Sequence, residues 1–88
     1  MNNLIYKISN DFNDQIYIGK TTRNLKIRIN EHYNKTDGSN SHINNSMYAH
    51  GLGHFHIEIL EENIPLDKLN ERERYWIAFY DSYYNGYN

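Results

Sequence analysis

The 88 residues include no cysteine, which excludes disulfides and thiolate metal centres, and nothing in the chain calls for an oxidising compartment. The opening MNNLIYKISND lacks a long apolar run, so neither a signal peptide nor a membrane-spanning helix is expected there, and the cytoplasm is the expected location. Linkers, repeats and low-complexity tracts are missing too, and the length fits one domain spanning residues 1–88. An excess of basic charge is also lacking. The net charge of −2 argues at first against a nucleic-acid partner.

The charge is unevenly spread. Residues 1–36 carry +3 and residues 37–88 carry −5. No acid occurs from Gln15 to Asn30, a stretch holding Lys20, Arg23, Lys26 and Arg28. This is a local basic patch on a mildly acidic protein, readable as a solvated helix face or as a contact for phosphates. The hydrophobic share of 39% and charged share of 23% are those of a globular protein with a thin core. Nine tyrosines stand out, because a tyrosine fills a core with its ring and still presents a hydroxyl.

Leu4 to Ser9 reads as a strand, Asn10–Asp14 as a turn, and Gln15 to Lys20 as a second strand, giving a β-hairpin at the centre or edge of a sheet. Thr21 and Thr22 are expected to cap a helix from near Arg23 to Asn34. Residues 35–40 read as a loop, after which Ser41 can cap a second helix ending at the Gly51–Gly53 turn. Phe55, Ile57 and Ile59 alternate with His56, Glu58 and Leu60 as a third strand. Pro65 suits the first turn of a helix whose apolar stripe runs through Leu66, Leu69, Trp76, Ile77 and Tyr80. The tail after Tyr80 reads as irregular. The order is β-β-α-α-β-α, an α+β arrangement with about three helices.

Polar residues interrupt two of these apolar stripes. Leu25, Arg28, Ile29 and His32 fall at i, i+3, i+4 and i+7, so Arg28 and His32 share the face that turns toward the sheet. Glu73 lies four after Leu69 and four before Ile77. A carboxylate there needs a cation or hydrogen-bond partner, and Arg72, Arg74 or a functional cation would each serve. His42, His50, His54 and His56 invite a zinc reading, but zinc sites want three or four ligands in fixed geometry and no cysteine helps. Tyr80, Tyr83, Tyr84 and Tyr87 can stack on bases or close the edge of a small core.

Leu4-Ile5-Tyr6 followed by Tyr17-Ile18-Gly19 resembles the GIY…YIG pair that names a nuclease family. Arg28 to His32 resembles the family's Arg-x-x-x-His, Glu73 to Trp76 its acidic element, and Asn88 in NGYN its C-terminal Asn. These five ordered elements cover nearly the whole chain, and their phrasing is closest to the phage and homing-endonuclease branch. Leu4 departs from the pattern, standing where the first motif usually has Gly.

The resemblance implies a three-stranded antiparallel sheet flanked by helices and hydrolysis of a DNA phosphodiester with one divalent metal, usually Mg²⁺, with Mn²⁺ able to substitute. It implies catalytic roles for Tyr6, Tyr17, Arg28, His32, Glu73 and Asn88. Glu73 would hold the metal and Arg28 would stabilise the charge accumulating on the phosphate. Tyr17, or Tyr6, would contact the attacking water. A free tyrosine is only about 0.1% phenolate at neutral pH, so Tyr17 either has its proton loss eased by its neighbours or orients the water while His32 accepts the proton. Asn88 would orient a tyrosine or Glu73. Gly19 would let the backbone pass close to the phosphate, and Lys20, with Arg23 and Lys26 of the basic patch, would contact substrate. A domain that reads DNA sequence is expected further along a longer chain or in a partner protein. The alternative is an inactive nucleic-acid-binding module on the same scaffold.

Overall fold

Leu4, Tyr6 and Ile8 lie on one face of the first strand and Ile5 on the other, and all four are buried. A strand apolar on both faces belongs in the middle of a sheet. The computed structural model, which describes residues 3–34 and 42–88, places it there. The elements are β1 (Leu4–Asn10), β2 (Tyr17–Thr21), α1 (Leu25–Asn34), α2 (His42–His50), β3 (Phe55–Glu61), α3 (Leu69–Tyr80) and α4 (Ser82–Asn85), with short 3₁₀ turns before β3 and α3. The sheet has the order β2-β1-β3, and both pairings are antiparallel. The hairpin thus supplies the central strand and one edge. The expected loop at 35–40 and the cap at Ser41 lie outside the described residues.

Each sheet face carries its own core. Leu4, Tyr6 and Ile8 pack with Ile29, Ile43, Met47, Phe55 and Tyr87 beneath α1 and α2. Ile5 and Ile18 pack with Ile64 and Leu69, and with the partly buried Trp76, Ile77 and Tyr80 of α3. Leu4, the departure from the family's motif, is buried in the first of these cores.

Several boundaries differ from the sequence expectation, each for a local reason. β2 begins at Tyr17 and not Gln15, because two asparagines hold the preceding residues in side-chain-to-backbone turns. The Asn10 side-chain oxygen accepts from the N–H groups of Phe12 (2.9 Å) and Asn13 (2.8 Å), and that of Asn13 accepts from Gln15 (2.8 Å). α1 is capped by Asn24, whose side-chain oxygen accepts from the Lys26 N–H at 2.9 Å, and not by the threonines. Thr21 is still strand, paired with Leu4, and its hydroxyl accepts from the Arg23 N–H at 3.0 Å.

In β3 only Phe55 is buried among its three alternating apolar residues. Ile57 is 37% and Ile59 45% exposed, because β3 is an edge strand left uncovered by the described residues. A register shift opposite Ile5 and Tyr6 adds one residue to β3. Beyond it, the Glu61 carboxylate accepts from Arg72 Nε (2.9 Å) and Trp76 Nε1 (3.1 Å) on α3.

The tail is ordered, contrary to the irregular stretch expected. Asp81 adopts a left-handed conformation (φ 53°), and its N–H bonds back to the Ala78 and Ile77 carbonyls to end α3. α4 follows at once. The chain then returns along β2. The Tyr87 N–H donates to the Ile16 carbonyl (3.0 Å), and the Tyr87 hydroxyl meets Ser46 Oγ (2.9 Å). Tyr87 therefore closes the core edge, whereas Tyr83 and Tyr84 are exposed.

Gly86 makes this return possible, since a Cβ there would overlap the Ile16 carbonyl oxygen and lie 2.9 Å from the Ser82 carbonyl oxygen. Both obstacles are backbone and cannot rotate away. Gly86→Ala is expected to lower unfolding free energy by about 1–3 kcal/mol, read as a lower urea midpoint at unchanged slope. An unaltered midpoint would show that the tail docks without needing the glycine.

Candidate active site

The hairpin pairs Tyr6 with Gly19 across the strands. A Cβ at position 19 would collide with three atoms at the hydroxyl end of the Tyr6 ring, so the glycine leaves the space this ring fills. Gly19 was expected to admit a phosphate. Its observed neighbour is a tyrosine.

With its ring held there, the Tyr6 hydroxyl reaches His32 Nε2 at 2.8 Å. His32 Nδ1 lies 2.6 Å from Asn44 Oδ1. An amide oxygen only accepts, so His32 Nδ1 carries a proton and, in the neutral ring, Nε2 accepts from Tyr6. All three side chains are buried. Tyr17 completes an aromatic cluster, its ring centroid 6.2 Å from that of Tyr6 and 5.2 Å from that of His32. Burial raises the Tyr6 pKa well above that of a free tyrosine, and the nearby Tyr17 and Glu73 push it the same way. The charge and hydrogen bond of Arg28 oppose the shift without cancelling it. Tyr6, Tyr17, Arg28, His32 and Glu73 thus converge from β1, β2, α1 and α3.

Beside this cluster lies a cleft of about 220 Å³ lined by Lys20, Thr21, Thr22, Arg23, Arg28 and Leu69. Three of its walls are cations. Glu31 steadies two of them, pairing with Arg23 and lying 3.7 Å from Arg28. Glu73 is about one-fifth exposed and pairs with Lys20 Nζ at 3.3 Å, not with Arg72, which Glu61 holds. The bonds from Trp76 and Arg72 outweigh the effect of burial and hold the Glu61 carboxyl below its ordinary pKa.

Two expected site residues stand elsewhere. Lys26 lines a different, apolar groove of about 400 Å³ with Leu25, Ile29, Leu52 and Ile57. Asn88 bonds neither a tyrosine nor Glu73. Its side chain accepts from the Ile18 N–H (2.7 Å) and from Ser82 Oγ (2.6 Å), and donates to the Ile18 carbonyl (2.8 Å). It acts on Tyr17 and Gly19 only through the backbone between them. Among the other histidines, His54 and His56 face Asp11, and the His50 ring lies 4.2 Å from that of Phe12.

Asn44 and Asn70 were not singled out from the sequence. Asn44 falls beside Ile43 and three before Met47, a polar residue on an apolar stripe like Glu73. Asn70 lies one turn before Glu73, and its side-chain oxygen accepts from Lys20 Nζ. Two oxygens of α3 therefore already converge on one positive charge. Among the described residues no group of three or more His, Asp or Glu side chains is placed to hold a metal ion. A single carboxylate suits a hard divalent ion that keeps most of its water.

The raised pKa of Tyr6 has a thermodynamic consequence. The folded state keeps this proton after the unfolded state has begun to release it near pH 10. Stability contributed through Tyr6 is therefore constant below about pH 10 and falls above it. Phenolate absorbance should show that Tyr6 keeps its proton at pH 11 in the folded protein, as a residual un-ionised fraction that Tyr6→Phe removes. Full ionisation of all nine tyrosines at pH 11 without unfolding would contradict the buried position.

Residues 2–88 match the family model described as the GIY-YIG catalytic domain. Intron-associated endonuclease 1 of Enterobacteria phage T4 is 37% identical over 89 residues, covering 96% of this chain and 35% of that protein. The chain thus spans about a third of that relative's length. A solved structure of a substituted form of the catalytic domain of intron endonuclease I-TevI superposes with a TM-score of 0.80 at 33% identity, covering 100% of this chain and 93% of that one. The structure of the catalytic domain of homing endonuclease I-TevI gives 0.77 at 32%, covering 98% and 96%. With the hairpin, the inward Arg and His of α1 and the Glu of α3 in family order, the chain belongs to the GIY-YIG family of endonuclease catalytic domains.

Proposed function

We propose that this domain hydrolyses DNA phosphodiester bonds with the help of a divalent ion. The observation that carries this reading is the joining of a three-cation cleft to the largely covered carboxylate residue Glu73 and a tyrosine pair. Cations suit the non-bridging oxygens of a phosphate, and a carboxylate beside them suits a metal.

Arg28 donates to the non-bridging oxygens, where its forked donors and fixed charge counter the negative charge that grows in the transition state. Lys20 and Arg23 hold the phosphate from the cleft's other walls. Glu73 holds the ion, Mg²⁺ by choice and Mn²⁺ in its place. When bound, the ion polarises the phosphate and stabilises the leaving 3′ oxygen.

Tyr17 orients the attacking water, because its ring is only partly buried whereas Tyr6 and His32 lie within the core. His32 then acts through Tyr6, fixing the aromatic wall against which the water sits. Asn88 sets the path of β2 and thereby the placing of Tyr17. Choice among DNA sequences falls to another domain or a partner protein, because three cations in one small cleft hold a phosphate but read no base.

Conversion of supercoiled plasmid to nicked circles in Mg²⁺ tests the activity. Wild type should cut, and Glu73→Ala and Arg28→Ala should each lose on the order of 100-fold or more. Equal rates in all three would expose a contaminating nuclease, and DNA binding without cleavage in any divalent ion would make the domain a binding module. Binding of catalytically silent Glu73→Ala to duplex DNA should be weak and salt-sensitive. With three phosphate-facing cations, log K should fall against log salt with a slope of about −3. A slope near zero would remove the cleft from DNA contact.

A further inference from the structure

Asn70 Oδ1 and Glu73 Oε1 lie one helical turn apart on α3 and meet on a single positive charge, the Lys20 ammonium. From this meeting we propose that Lys20 is a placeholder cation in the divalent-ion seat, that the incoming ion displaces it, and that Asn70 supplies the seat's second protein oxygen. The inference rests on the assignment of Glu73 to the metal.

Glu73 needs a cation whether or not an ion is bound. Its side chain is about four-fifths covered, on a helix face bounded by Leu69, Trp76 and Ile77. A carboxylate so placed and left unpaired is costly. Lys20 meets that need from the facing edge strand. Residues at i and i+3 share a helix face, so the two α3 oxygens point to the same side as the hairpin.

Lysine is also suited to leaving. Its charge is compact and sits on a flexible four-carbon stem, and the side chain is 38% exposed, so it can swing out without disturbing a core. A divalent ion against the same carboxylate repels the ammonium. Lys20 also lines the cleft with Arg23 and Arg28, so that cleft receives it. The ion and the third phosphate-binding cation are thereby linked. Until the ion is seated, Lys20 neutralises Glu73 and is withheld from the phosphate.

Mn²⁺ binding without DNA, followed by the paramagnetic resonance signal of the free ion, tests both parts. Lys20→Ala should bind Mn²⁺ about fivefold more tightly than wild type, the scale of one partly exposed ion pair. Lys26→Ala, which removes the same charge from a separate groove, should change affinity by less than about twofold. Asn70→Ala is made in the Lys20→Ala background, so that it can act only through the ion and not through Lys20. There it should weaken binding by about threefold, the scale of one neutral oxygen contact. Matching thermal unfolding curves check that the variants remain folded.

If Lys20→Ala binds no better than Lys26→Ala, Lys20 is not a placeholder. If Asn70→Ala is silent once Lys20 is gone, Asn70 serves only the lysine. Glu73→Ala separates these failures from failure of the underlying assignment. Undiminished Mn²⁺ binding by Glu73→Ala overturns the metal seat and the proposal together. Loss of binding in Glu73→Ala alongside an unmoved Lys20→Ala overturns the proposal alone.

Discussion

The site depends on one contact, the Tyr6 ring in the space left by the missing side chain of Gly19. That contact ties the two hairpin strands face to face at the position where their register pairs them. It also aims the Tyr6 hydroxyl into α1, where His32 receives it at 2.8 Å. Arg28 stands one turn before His32, so the anchoring of the histidine also sets the reach of the arginine. Asn44 extends the chain of bonds into α2. A buried polar chain is favourable only when each member is satisfied, and each link here closes the next one's open valence. The motif's aromatic and glycine positions are therefore halves of one packing unit, with the chemistry built outward from it.

Around that unit the protein separates burial from charge. α1 and α2 cover one face of β1 and α3 the other. Where α1 and α3 look past the short edge strand β2, the apolar stripes are interrupted by Arg28 and Glu73. In the proposed reaction a phosphate and a metal ion would lie between these opposite charges, which are set on different helices at one sheet edge. The net charge of −2 does not oppose this, since the field at close range is set by Lys20, Arg23 and Arg28 with their partners Glu31 and Glu73, and not by acids beyond the screening length.

Much of this was legible in the sequence. The two tyrosine strands, the Arg-x-x-x-His face and the carboxylate on the last long helix all follow from periodicity, and the described part of the element order matches as far as α3. What escaped was set by tertiary partners. Asn24 caps α1 because Thr21 is drawn into β2 by Leu4, a partner seventeen residues earlier. Ile57 and Ile59 alternate as a half-buried strand should, yet both stay exposed on an edge strand that no described helix covers. Asn44 looked like one of many asparagines until His32 was placed against it. Glu73 could choose among several cations by sequence distance alone, and the fold selected Lys20, fifty-three residues away.

Asn88 acts as a surrogate strand. Its side chain offers an acceptor and a donor to the Ile18 N–H and carbonyl, the pattern a neighbouring strand would supply to the open edge of β2. Its partner lies seventy residues earlier, so this edge is closed by a contact of very long sequence separation. On the ribosome, β1 and β2 emerge early and can pair at once, but the clasp on β2 is made only when residue 88 has left the exit tunnel. During that interval the nascent hairpin carries its tyrosines and Lys20 beside an unpaired edge. The clasp on β2 is thus among the last contacts that the order of synthesis allows.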